Sequence, residues 1–145
     1  MAITTAMCTS FKSELLGGIH DLDTHTIKLA LIKNGMSGTY NAATTNYSDV
    51  TGNSDESSGT NYSAGGQNLD SPAITTSGTT AMVDFADEVF SNVTTSADGC
   101  IIYNSSASNK AIAVIDFGGT VSATAGDLTI EFPAVGTSTA VIRIA

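Results

Sequence analysis

Tryptophan is missing from this 145-residue chain, proline and cysteine occur twice each, and only five residues are basic. Each scarcity narrows the field. Lys12, Lys28, Lys33, Lys110 and Arg143 are scattered among 14 acidic residues, giving a formal net charge of −9. That distribution offers no basic footprint for phosphate backbones or anionic headgroups, and it argues against nucleic-acid and membrane partners. Acidity of this size favours solubility and suits docking on a basic surface. No apolar run approaches the roughly 18 residues that cross a bilayer. Met1–Thr9 has no basic leading region, and Lys12 and Glu14 interrupt any apolar stretch after it. No secretory signal is therefore expected, and the chain reads as soluble and made inside a cell. Cys8 and Cys100 share no motif, and a chain of this length does not need their bridge. Cys100 reads as a small core residue, while the state of Cys8 stays open.

What is abundant is Ser and Thr, about a quarter of all positions, whereas charged residues make up 13% against a usual figure of about 25%. Exposed strand faces take Thr, and turns take Ser, Gly and Asn, so the bias suits a β-protein. A surface with so little charge also costs little to desolvate, as covering in an assembly requires. The length fits one domain with a core of its own.

The strongest local signal is Asp127-Leu-Thr-Ile-Glu-Phe132, in which Leu128, Ile130 and Phe132 face one way and Asp127, Thr129 and Glu131 the other. A side-chain period of two is that of a half-buried strand. Thr26–Lys33 reads as another strand, with Ile27, Leu29 and Leu31 inward, and Asn34-Gly35 as the turn after it. Ala73–Thr76, Ser77-Gly78 and Thr79–Phe85 read as strand, turn and strand. Gly99–Tyr103 and Ala111–Phe117 form a second hairpin across Asn104–Lys110. Its return strand is apolar on both parities and should be covered on both faces. Thr139–Ala145 closes the chain. Ser10 is positioned to cap a short helix over Ser10–Leu16, with Phe11 and Leu15 on one face and Gly17-Gly18 as its stop. Between Met36 and Gly66 periodicity fades, apart from a weak helical turn within Asn41–Val50. So long a stretch suggests a functional loop, a mobile excursion or a weak strand that the pattern does not reveal. The fold expected is mainly all-β: an antiparallel β-sandwich or partly closed barrel over residues 10–145, with one short N-terminal helix. Residues 1–9 form an extended arm ahead of it.

No pattern of catalytic residues stands out. His20-Asp21-Leu22-Asp23-Thr24-His25 has metal-ligand chemistry. Its spacing fits no metal motif, however, and it lies between a Gly-Gly stop and a strand, so it reads as turn chemistry. The serines lack a Gly-x-Ser-x-Gly elbow, and a hydrolase built on His20 or His25 has no identifiable nucleophile. Asp55-Glu56 and Asp87-Glu88 read as solvated loop charges. Ala64-Gly65-Gly66 and Gly118-Gly119 read as turns, since neither helix nor Lys follows to cradle a phosphate. No catalytic, cofactor-binding or metal-ligating residue is assigned, no cofactor is expected, and the chain reads as a non-enzyme. The arm is assigned to partner binding. Ile3 and Met7 are its apolar points, Thr4 and Thr5 favour extended backbone, and such a segment can add as a strand to a neighbour's sheet edge.

Five segments in order carry a family likeness: Phe11-Lys-Ser-Glu-Leu-Leu-Gly-Gly-Ile-His-Asp-Leu22, Thr26-Ile-Lys-Leu-Ala-Leu-Ile32, Tyr62-Ser-Ala-Gly-Gly66, Ile102-Tyr-Asn104 with Asn109-Lys-Ala-Ile-Ala-Val-Ile-Asp-Phe117, and Ala125-Gly-Asp-Leu-Thr-Ile-Glu-Phe-Pro133. With them the chain resembles small, mostly β structural proteins of tailed bacteriophage virions. The resemblance covers most of the chain, rests on scaffold motifs and carries over no functional residue. It implies a virion component made in the host bacterial cytoplasm, foremost a capsid decoration (cement) protein that bridges shell subunits. Its partners would be the major capsid protein or other virion proteins, met as repeated copies or as a homo-oligomer. A tail or head–tail junction subunit is the alternative within the family. From the residues alone, a receptor- or carbohydrate-binding module presenting the Met36–Gly66 loops is another.

Overall fold

The computed structural model describes residues 2–136 and 138–145. In chain order the elements are β1 (Ala2–Ile3), β2 (Ala6–Met7), α1 (Thr9–Leu16), β3 (Ile27–Ile32), β4 (Thr39–Tyr40), α2 (Ser48–Gly52), β5 (Gln67–Asn68), β6 (Ala73–Ser77), β7 (Thr80–Asp84), β8 (Glu88–Asn104), β9 (Lys110–Ile130) and β10 (Ile142–Ile144). The fold is mainly β. A five-stranded sheet runs β2-β9-β8-β3-β5 and a three-stranded sheet β10-β7-β6, both antiparallel, while β1 and β4 form a small parallel pair. Both antiparallel sheets feed one continuous core, from Ile3 through Leu29, Ile101, Ile112 and Leu128 to Ile142. Among the described residues no sheet closes into a barrel.

The β8–β9 hairpin dominates the molecule. The sequence marks Gly99–Tyr103 and Ala111–Phe117 as the hairpin and Asp127–Phe132 as a separate strand, yet the arms run on to Glu88 and Ile130, and Glu131 and Phe132 lie beyond the strand. The residues that resemble turns are absorbed as β-bulges, which insert unpaired residues and tolerate left-handed backbone. Asn92 and Ala125 have φ of 50° and 45°, and Gly118 lies at 77°. Gly118-Gly119 is thus not a turn between strands. It is a bulge between the Gly99↔Asp116 and Ala97↔Val121 pairs. Of the return strand read as Ala111–Phe117, Ala111–Val114 is buried on both faces, while Ile115 and Phe117 are only half-buried and Asp116 is exposed. Leu128 and Ile130 point inward, also as read.

β3 lies between β8 and β5 in the sheet and is buried on both parities except at Lys28, so both of its faces are covered. In the β6–β7 hairpin the Ser77↔Thr80 pair moves the two-residue turn to Gly78-Thr79. The helix begins one residue earlier than Ser10 suggests, with Cys8 at the cap position and no side-chain cap. Ser10 sits inside the first turn, its Oγ buried without a hydrogen-bond partner among the described residues. Phe11 is fully buried on the expected face, and Gly18, with φ of 74°, supplies the left-handed stop.

Residues 2–9 do not stand apart as an arm, and Met1 lies outside the described residues. β1 pairs with Thr39–Tyr40, and β2 pairs with Ala113–Val114 of β9. The Thr4 N–H donates to Tyr40 O at 2.9 Å, and Ile3 and Cys8 are core residues. The segment is extended, as Thr4-Thr5 suggests, but the edge it completes is its own chain's.

Candidate interaction surface

Of the acidic residues that read as solvated, Asp55, Glu56 and Glu88 are instead structural anchors, while Asp87 is exposed. Residues 55–57 run beside the end of β3, with Lys33 N–H donating to Asp55 O and Ser57 N–H to Leu31 O, both at 2.9 Å. This buries the Asp55 side chain completely. Its carboxylate accepts from Ser37 N (2.9 Å), Gly38 N (2.7 Å) and Tyr40 Oη (2.7 Å), and Lys33 Nζ lies 3.5 Å away. Burial alone pushes the carboxyl upward in pKa; the Tyr40 hydroxyl, the two N–H donors and Lys33 outweigh it and hold the value at about 2. Glu56 accepts from the Tyr47 and Tyr62 hydroxyls and from Gly65 N. Tyr47 stacks on Tyr103 at 4.5 Å, and Tyr103 Oη donates to Gly65 O at 2.6 Å. The Met36–Gly66 excursion is therefore fastened to the sheet through two carboxylates and four tyrosines, with their hydrogen-bonding positions spent internally. Glu88 is likewise buried, its pKa raised by burial and by Asp70, and Asp87 accepts from Phe132 N.

The histidine cluster is turn chemistry with an added feature. Asp21 Oδ1 accepts from Asp23 N and Thr24 N, and Oδ2 from Thr24 Oγ1, an Asx-type turn. His20 and His25 both direct Nδ1 at the side-chain amide of the buried Asn104, at 3.1 and 2.9 Å. His20 Nε2 meets Glu14 at 3.2 Å, and Lys110 approaches the same carboxylate at 3.4 Å. Among the described residues, no three of His, Cys, Asp and Glu form a group that could hold a metal ion. Cys8 and Cys100 are free and buried; burial pushes their thiols up to about 11 and about 12, far from the thiolate form that reacts.

The surface offers more than these clusters do. Beside β2 lies a groove of about 600 Å³, lined mainly by apolar side chains such as Met7, Ile115, Phe117, Ile130 and Phe132, with one acid, Glu131. Ile115 and Phe117 come from one part of β9 and Ile130 from its end, so the strand curls back to make both walls. Thr5 and Met7, two of the four residues assigned to partner binding, line this groove. Ile3 is buried instead, and Thr4 is exposed outside it. Next to the groove, β9 from Val121 to Asp127 pairs only with β8 among the described residues, because β2 ends at Met7. No charge occurs between Asp116 and Asp127, and Val121 on the groove's rim is 40% exposed. A bare strand edge with open backbone donors and acceptors is an invitation to pairing. A second apolar groove, of about 410 Å³, lies between α1 and the three-stranded sheet, where Leu15, Leu22, Ile74, Val83 and Ile142 meet. Sequence pattern did not find the first groove. Its only signal was Gly118-Gly119, the bulge between the two apolar stretches of β9.

Compared with known proteins, the chain matches no family model, no curated protein and no solved structure.

Proposed function

We propose that this chain is a non-enzymatic assembly protein of a tailed-phage virion, foremost a decoration protein seated on the capsid and bridging its subunits. The observation that carries the reading is the apolar groove beside the uncharged outer edge of β9. Apolar burial in such a groove contributes about 25 cal/mol per Å² before entropic costs. A strand laid along the edge adds main-chain hydrogen bonds and fixes register. The partner is the major capsid protein or another virion protein, met in many copies, and neither nucleic acid nor membrane. The family likeness supports the same role, and so does a surface poor in charge to be desolvated.

Quantitative mass spectrometry of purified particles tests this. The chain is expected at a fixed ratio to the major capsid protein, retained through density-gradient purification. Its presence only in infected-cell lysate, and not in washed particles, would overturn the proposal.

A further inference from the structure

We infer that Asn104, His20 and His25 form an acid-responsive latch that holds the turn after α1 against the tip of the β8–β9 hairpin. The orientation of the Asn104 amide is set by the backbone. Its Oδ1 accepts from Ser106 N at 3.0 Å and Ala107 N at 3.2 Å, capping the short 3₁₀ turn Ser105–Ala107. Nδ2 must then face the two histidines, and it donates to Nδ1 of both. His25 Nδ1 accepts a further bond from Asp21 N at 3.3 Å. Both imidazoles are thus locked as acceptors at Nδ1, which only the neutral ring can be. In His20 the proton sits on Nε2 and is donated to Glu14.

A proton taken up from water at either Nδ1 sets N–H against N–H. Asn104 cannot relieve the clash by rotating its amide, because Nδ2 would then meet the Ser106 and Ala107 N–H groups. One amide serves two rings and one cap, so the turn must part from the hairpin tip. The charges facing this cluster are Glu14 from α1, which attracts a proton to His20, and Lys110 from the start of β9, which repels one. From the turn itself comes Asp21, its carboxylate engaged by Asp23 and Thr24. From the three-stranded sheet only apolar side chains line the groove that His20 also lines. Phe11 packs edge-on against His20 at 4.9 Å and keeps water away. Burial outweighs Glu14 and lowers the pKa of His20, so the fold selects the neutral ring and loses stability as pH falls below the free value of 6.5. Because His20, Asp21 and Leu22 wall the groove between α1 and the three-stranded sheet, release of the latch widens that groove.

The test is amide hydrogen exchange on the full chain at pH 7.5 and 5.0, corrected for intrinsic rates, with imidazole ¹⁵N shifts followed across the same range. Exchange at His25, Ser106 and Ala107 is expected to accelerate by at least about tenfold at pH 5.0, while Ile101 and Ile102 in the sheet keep their protection. The ¹⁵N shifts should show Nδ1 of His20 unprotonated at pH 7.5 and protonated as the exchange accelerates. In the His20→Gln/His25→Asn variant the pH dependence should vanish. Unchanged exchange in the wild-type chain, or acceleration without protonation at either Nδ1, would overturn the latch whether or not the variant folds.

Discussion

Asp55 is the residue on which the Met36–Gly66 excursion depends. Its carboxyl is held at about 2, below the ordinary 3.8. A lowered carboxylate pKa contributes stability that is fully present above the unfolded value and is lost as pH falls through the folded one. The shift corresponds to about 2 kcal/mol, lost between about pH 4 and pH 2. Asp55→Asn keeps the shape but removes the charge and sets an N–H₂ among donors. It should lower stability at pH 7 by about 2–3 kcal/mol and flatten the acid limb of the melting curve. Thermal melts of both proteins from pH 7 to pH 2 check this. None of it was readable from the sequence. Two adjacent acids in a polar run look solvated, and their partners Lys33, Tyr40, Tyr47 and Tyr62 are spread over 30 residues without period. The only hint was the clustering of tyrosine in a stretch otherwise poor in large side chains.

Elements were readable wherever period or composition is unambiguous. Asp127–Phe132 and Ile27–Ile32 follow from period and composition, and the helix follows from Phe11, Leu15 and the Gly17-Gly18 stop. What misleads is the bulge. Asn92, Gly118 and Ala125 use backbone conformations that usually end a strand, so two long strands look like several short ones. The N-terminal segment misleads differently, because an uncharged extended run does not declare whose edge it will join. Residues 2–9 supply Ile3 and Cys8 to the core and cover β9 at Ala113–Val114. Deleting Met1–Thr9 should therefore lower the melting temperature by well over about 5 °C, as loss of buried apolar side chains does. An unchanged melting temperature would show that the segment is dispensable to the fold. Gly66 closes the excursion against β3: with φ of 73°, an added Cβ would lie 1.8 Å from Leu29 O. Gly66→Ala should cost more than about 2 kcal/mol in chemical denaturation, with an unchanged denaturant slope if the fold survives.

At the scale of the whole molecule, an acidic chain of net charge −9 leaves the β9 edge between Asp116 and Asp127 without charge, beside a mainly apolar groove whose lining carries one acid, Glu131. Like-charged copies or subunits meet with least repulsion where charge is sparsest, which is why this edge is the proposed attachment surface. Val121 is half out of the groove on its rim, so Val121→Lys places a charge on the edge without opening the core. The most direct measurement is co-sedimentation of full-length wild-type and Val121→Lys proteins with undecorated shells, alongside their melting curves. The wild-type chain is predicted to saturate the shells at a fixed ratio. The variant should bind at least about tenfold more weakly at the same melting temperature. Failure of the wild-type chain to bind, or equal binding by the two proteins, would contradict attachment through the β9 edge.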